Sequence, residues 1–321
     1  MKGLLAIFLI LTSNSLSAAD ATCIQEIKNP LDKQNHTFIE GILNKIVLPK
    51  DSRAIGKELV ARLSEKEKTV KENKNAYDFY RNTEIQLAFS DKNFESIRRG
   101  CFKNQFQTNT SKGFASKTKR QKAETTLIGF SIDDNPKVLT NPSDKTHHIR
   151  PKYAYLVPTK PMEDVTPLTY SESYGNVYAV MKSEVKERST FTAQDSLKGT
   201  AQAYPLKTKA DYKEIRKDKK DYWEAQIWGE VCFSDVAYFM VNCPEKIDNS
   251  KDTTKLTKYN LVSDETFNKM KETGVPVYQC KKEVKGVNTI FTKGEILSKE
   301  NLSKRMQDEA RADADSNFPN K

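Results

Sequence analysis

A chain of 321 residues with 53 Lys and Arg against 43 Asp and Glu carries a formal charge of +10. That balance favours weak attraction to phosphates, acidic proteins or membrane surfaces without choosing among them. The length suits one large domain or two modest ones. The three histidines, His36, His147 and His148, lack the spacing of a helical metal pair, and there is no Cys-x-x-Cys, so no structural metal is expected.

Residues 1–19 read as a signal peptide. Met1-Lys2 gives a positive start, Leu4 to Thr12 is an apolar run too short to span a bilayer, and Ser17-Ala18-Ala19 supplies small residues for cleavage. The expectation is an exported chain, secreted or periplasmic and not anchored, with no membrane span further on. Residues 20–100 read as helical. Phe38, Ile39, Ile42, Leu43, Ile46 and Val47 form one stripe ended by Pro49, and Ile55, Leu59 and Leu63 form the next. Tyr77, Phe79, Tyr80, Ile85, Leu87 and Phe89 are assigned to a third helical stretch, and Phe94 with Ile97 to a short fourth.

From Gly100 the pattern turns to strands. Phe102 to Thr108 reads as a strand leading into a hydroxyl-rich turn, 109–113, and the basic residues Lys112 to Lys122 as a loop. Further strands are expected over 125–130, 153–157, 177–181, 189–192, 224–233 and 239–242, separated by Pro- and Asn-rich turns. Residues 101–245 thus form a β-rich candidate catalytic core. Residues 246–297 form a helix-strand extension, with a helix over 264–273 and a strand over 275–280. Residues 298–321 form a charged helix and a disordered tail. The fold class is α+β, a helical N-terminal region leading into a mixed or antiparallel β core. Ser116-x-x-Lys119 lacks its companion motifs and is no penicillin-binding signature.

The five cysteines are Cys23, Cys101, Cys232, Cys243 and Cys280, and the odd count leaves one thiol free or paired between chains. Cys232 and Cys243 are near enough to bridge neighbouring strands, Cys280 is able to take either partner, and the connectivity stays open. The segment Tyr222 to Phe233 is the most informative. It sets Glu224 among two indole rings, a glycine and an alternating apolar run. A charge buried without a partner costs several kcal/mol, so Glu224 is expected either to be paired or to act, or to sit on the wet face of an edge strand with Gln226 and Trp228 beside it. Gln226 lies two residues on, on the same strand face. A carboxylate pair of Glu224 and Glu230 is rejected, because six strand residues separate them by roughly 20 Å.

Four segments in order resemble an uncharacterised bacterial family catalogued as domain of unknown function 3626. They are Arg99-Gly100 through Gly113, Arg150-Pro151-Lys152-Tyr153-Ala154, Arg188 to Ser196, and Glu224-Ala225-Gln226-Ile227-Trp228-Gly229. Ala154, Gln194 and Trp228 depart from its pattern. Arg150, Ser189-Thr190 and Glu224 also fall in the order of the Arg, Ser-Thr and Glu motifs of secreted ADP-ribosyltransferases. That resemblance implies an ADP-ribosyltransferase fold and a toxin or effector that transfers ADP-ribose from NAD to a protein target, an acidic one by charge. Glu224 would be the catalytic carboxylate, Arg150 the phosphate clamp and Ser189 a support. Arg150, Tyr153, Thr190, Tyr222, Gln226, Thr108 and Ser111 would line the NAD site, with Tyr153, Tyr222 or Trp223 stacking on nicotinamide. Tyr222 stands where the class has a glutamate or glutamine. The competing expectation is a non-catalytic secreted binding protein in which Arg150 and Glu224 pair with each other. Sequence-specific nucleic-acid binding is not expected, since acids interrupt the lysine runs.

Overall fold

Strand character in this chain comes from alternation, and one large sheet collects most of it. The structure, a computed structural model, describes residues 38, 41, 51–65, 74–108, 116–129, 131–132, 136–160, 175–198, 203–208, 211, 213, 215, 223–241, 262–285 and 288–297. The predicted signal peptide and C-terminal charged helix fall outside them, as do Ser111, Tyr222, Cys23 and Cys243. Among the described residues no helix is long and apolar enough to cross a membrane.

The strands are β1 (Thr83–Phe89), β2 (Cys101–Phe102), β3 (Lys152–Pro158), β4 (Val177–Met181), β5 (Ser189–Thr192), β6 (Tyr204–Pro205), β7 (Glu224–Ile227), β8 (Val231–Cys232), β9 (Val236–Val241), β10 (Val277–Lys285) and β11 (Asn288–Ile296). Nine of them form a mixed sheet in the order β11-β10-β9-β4-β1-β3-β7-β5-β6, and β2 pairs with β8 apart from it. Neighbours run antiparallel except β9 and β10, which are parallel. With helices beside this sheet, the fold is α+β.

One face of the sheet is apolar. Ile85, Leu87 and Phe89 of β1, Ala154 and Leu156 of β3, Phe191 of β5, and Ala225 and Ile227 of β7 enter one cluster with Phe79, Phe94 and Trp223. Phe79, Phe191 and Trp223 meet ring to ring, with centroids 5.0 to 5.5 Å apart. The other face carries Tyr155, Val157, Tyr178, Val180 and Met240 toward β10. It turns polar at β5 and β7. Helix Asp51–Glu65 closes that end, packing Ile55, Leu59, Val60 and Leu63 with Trp228. It approaches so closely that Gly229 is required. A side chain there would stand 2.3 Å from the Ser52 carbonyl oxygen, on a backbone at φ +82°.

Several expected elements differ. Residues 83–89 form a central strand, since Ile85, Leu87 and Phe89 follow a period of two and the helical spacing ends at helix Lys74–Arg81. Residues 117–128 are one helix, where a basic loop and a strand were expected. Ser116 caps it by accepting the Lys119 amide. Cys101–Phe102 is a two-residue strand, followed by the helical turn Gln105–Thr108. The 224–233 strand is broken at Gly229 into β7 and β8. The sheet draws β1 from the expected helical region and β10 and β11 from the expected extension. Cys232 bonds to Cys101, 131 residues away, and not to Cys243. Cys280 is disulfide-bonded as well.

Candidate functional site

Strands β3 and β7 supply the polar wall of a cavity of about 490 Å³, with β5 on the far side of β7 and the turn after it reaching the cavity through Asp195. Their register decides which side chains face it. Thr192 pairs with Glu224 and Thr190 with Gln226, while Tyr155 and Tyr153 oppose the same two residues from β3. Directly paired residues project from the same face of a sheet. Ser189 pairs with Ile227 and belongs to the opposite, apolar face, where its hydroxyl donates to the Val185 carbonyl at 2.8 Å.

Glu224 is 4% exposed and lines the cavity. Its orientation follows from a directional chain of hydrogen bonds. The Trp228 indole, able only to donate, gives its proton to Thr190 Oγ1 at 2.9 Å. Thr190 donates in turn to Gln226 Oε1 at 2.9 Å, so the Gln226 amide nitrogen faces Glu224 Oε1, also at 2.9 Å, and Thr192 Oγ1 at 3.2 Å. Along Trp228, Thr190 and Gln226 the donors thus run in sequence toward the carboxylate. Burial still wins and raises its pKa to about 7, helped by the Asp195 charge and opposed by Ser196, Gln226 and Arg120. The site holds a carboxyl group poised near neutrality.

The adjoining wall comes from helix Lys117–Ile128. Glu124 is buried and accepts a 2.6 Å ion-pair hydrogen bond from Arg150 Nη1, and Arg150 is itself fully buried. The Arg150 guanidinium also lies 4.1 Å from the centre of the Phe106 ring. The Tyr153 hydroxyl donates to the other Glu124 oxygen at 3.3 Å. Burial holds Tyr153 well above its ordinary pKa, which keeps it a donor, and it raises Glu124 against the pull of Arg150. One turn earlier on this helix, Arg120 lines the cavity with its guanidinium 4.1 Å from the Tyr153 ring centre. Lys152 is also buried at the wall. Its ammonium donates to the Gly229 carbonyl at 2.9 Å, and burial lowers its pKa to about 7.

Of the residues chosen from sequence, Glu224, Tyr153 and Thr108 line the cavity. Gln226 and Thr190 support Glu224 from beneath. Ser189 is on the wrong face to join them. Arg150 pairs with Glu124, which takes it from the role of free clamp and equally from the expected pairing with Glu224. Trp223, an expected stacking partner for nicotinamide, is packed in the apolar core. His147 is buried against Phe106 and hydrogen-bonded to the Val138 carbonyl.

Arg120, Glu124, Asp195 and Phe106 were not selected. Asp195 stands inside the Arg188 to Ser196 motif, so its position carried a signal. Arg120 stood within the basic 112–122 stretch, whose charge suits an acidic target or a cofactor's phosphates, whereas Glu124 carried no signal, since only its contacts distinguish it from other charged residues. No family model and no curated protein matches the chain.

Proposed function

We propose that the cavity binds NAD and that Glu224 drives cleavage of its nicotinamide-ribosyl bond, passing ADP-ribose to an acceptor on a target protein. The observation that carries this reading is the buried Glu224 carboxylate, aimed by the Trp228-Thr190-Gln226 chain and open to a cavity of ligand size. Departure of nicotinamide builds positive charge on the ribose, and a fixed carboxylate in a dry site stabilises that charge more than water would. The nicotinamide ring of NAD is itself cationic, so its arrival next to Glu224 favours the ionised carboxylate that the step needs.

The roles shift within the resemblance. Arg120 takes the phosphates through its fork of donors, in place of Arg150, whose charge is committed to Glu124. Thr190 and Gln226 replace Ser189 as supports. The Arg, Ser-Thr and Glu segments stand at the starts of three adjacent strands, β3, β5 and β7, which supports reading the sheet as a variant of the ADP-ribosyltransferase fold. The setting for this activity is outside the cytoplasm, as a toxin or effector, given the N-terminal segment and the disulfide between β2 and β8.

A secreted binding protein is the second reading, favoured by the Arg150–Glu124 pair, a structural fate for one of the three motif residues. Nicotinamide release by the purified chain separates the two. Turnover that falls about 10²-fold or more in Glu224→Gln supports the transferase. Absence of both turnover and NAD binding assigns the cavity to another ligand.

A further inference from the structure

The cavity holds a second carboxylate whose setting differs from that of Glu224. Asp195 and Glu224 line it together, one half-buried and the other almost fully enclosed. The register explains their proximity. Thr192, the last residue of β5, pairs with Glu224, the first of β7, so the turn that follows β5 passes over the head of β7. That turn is fixed by its own bonds. Thr192 Oγ1 donates to the Gln194 carbonyl at 2.6 Å, and Asp195 Oδ1 accepts the Leu197 amide at 2.9 Å, which uses one of its two oxygens. Ser196, directly after Asp195, is 2% exposed and lies against the Glu224 carboxylate.

We infer that Asp195 is the general base that activates the acceptor for the reaction proposed at Glu224, an inference that rests on that reading. One carboxylate in a dry pocket and a second at its wetter edge suit two different tasks. Glu224 faces the ribose as charge develops. Asp195 meets the nucleophile arriving from solvent or from a target protein. As nicotinamide leaves with the electron pair of the C1′–N1 bond, the acceptor's O–H or N–H atom bonds to C1′ and its proton passes to Asp195. Atoms and charge balance with NAD and acceptor alone. The acceptor class is therefore a nucleophile that must lose a proton: water, a hydroxyl or a guanidinium. The Asp195 charge also helps to raise the Glu224 pKa, so the pair is electrostatically linked.

Azide provides the test, because it attacks carbon without a proton to lose. In Asp195→Asn, nicotinamide release is expected to fall about 10²-fold in kcat, the usual worth of a general base, with KM for NAD nearly unchanged. Sodium azide should restore release and yield the ribosyl azide, whereas Glu224→Gln should show no rescue. Asp195→Ser serves as a second base-free variant, with thermal melting confirming that each is folded. Wild-type turnover in Asp195→Asn, or loss that azide does not repair in either folded variant, overturns the assignment of Asp195 and leaves Glu224 in place. Absence of NAD turnover in the wild-type chain overturns both.

Discussion

The two faces of strands β5 and β7 are built from neighbouring residues and follow opposite rules. Phe191, Ala225 and Ile227 point into an apolar cluster, where burial itself is the favourable term. Thr190, Thr192, Glu224 and Gln226 are as deeply buried on the other side, and there each polar atom depends on a particular partner. The apolar face needs only shape and volume. The polar face needs direction, and through Glu224 it opens onto the cavity. Burial that gives up hydrophobic gain for a directed hydrogen-bond chain is the feature that singles out Glu224.

The comparison breaks most severely where a buried charge loses its partner. Arg150→Met leaves the Glu124 carboxylate enclosed and should cost about 3 to 5 kcal/mol, read by urea unfolding. The double variant Arg150→Met with Glu124→Leu should recover much of that loss, since an apolar pair of similar volume removes the stranded charge. On the apolar face, Phe191→Ala should cost about 3 to 5 kcal/mol through cavity formation alone, with no effect on the pH dependence of stability.

Glu224→Gln acts in the other direction. Folding raises this carboxyl from 4.5 to about 7, so between those values the folded chain keeps a proton that the unfolded chain has released. Stability contributed by the group therefore declines as pH rises from 4.5 to about 7 and stays low above it. The glutamine variant lacks that decline. It should match the wild type near pH 4 and be more stable at pH 8 by about 3 kcal/mol, measured by thermal melting across pH. Wild-type turnover should show an acid limb near pH 7, because the ionised carboxylate is the active form.

The smallest expected effect sharpens the comparison further. Thr190→Val preserves shape but leaves the Trp228 indole without its acceptor and Gln226 without its donor, at about 1 to 3 kcal/mol. Its particular signature is a shifted acid limb of the pH-rate profile, since the Gln226 amide is then free to turn away from Glu224.

Where the pattern was local, the sequence was readable. Strands Val177–Met181 and Ser189–Thr192 and the Asp264–Glu272 helix sit where alternation and helical spacing place them. Helix Lys117–Ile128 was not readable because its buried face includes Gln121 and Glu124, and a stripe of mixed polarity gives no amphipathic signal. Glu124 is tolerated inside because Arg150, 26 residues on and just ahead of β3, pairs with it and the Tyr153 hydroxyl donates to its other oxygen. β1 was misread because the aromatic periodicity of the preceding helix runs directly into it.

Glu224 was identifiable from its neighbours in the chain, since a carboxylate beside two indoles on an alternating strand is costly unless it is partnered or used. Gln226 followed from strand period, and Thr190 came with the Ser-Thr motif of the resemblance. The fate of Arg150 and Ser189 did not follow, nor did the arrival of Arg120 and Asp195 at the cavity. Arg150 sits at the start of a strand in the sequence, but the helix that folds against it determines whether its charge is free. Alternation within one strand is set by backbone geometry over a few residues and is therefore written locally. Which face of one strand meets which face of another, and which distant charge comes to rest beside a buried one, is set by register and packing across the whole sheet, and only the tertiary structure decided it.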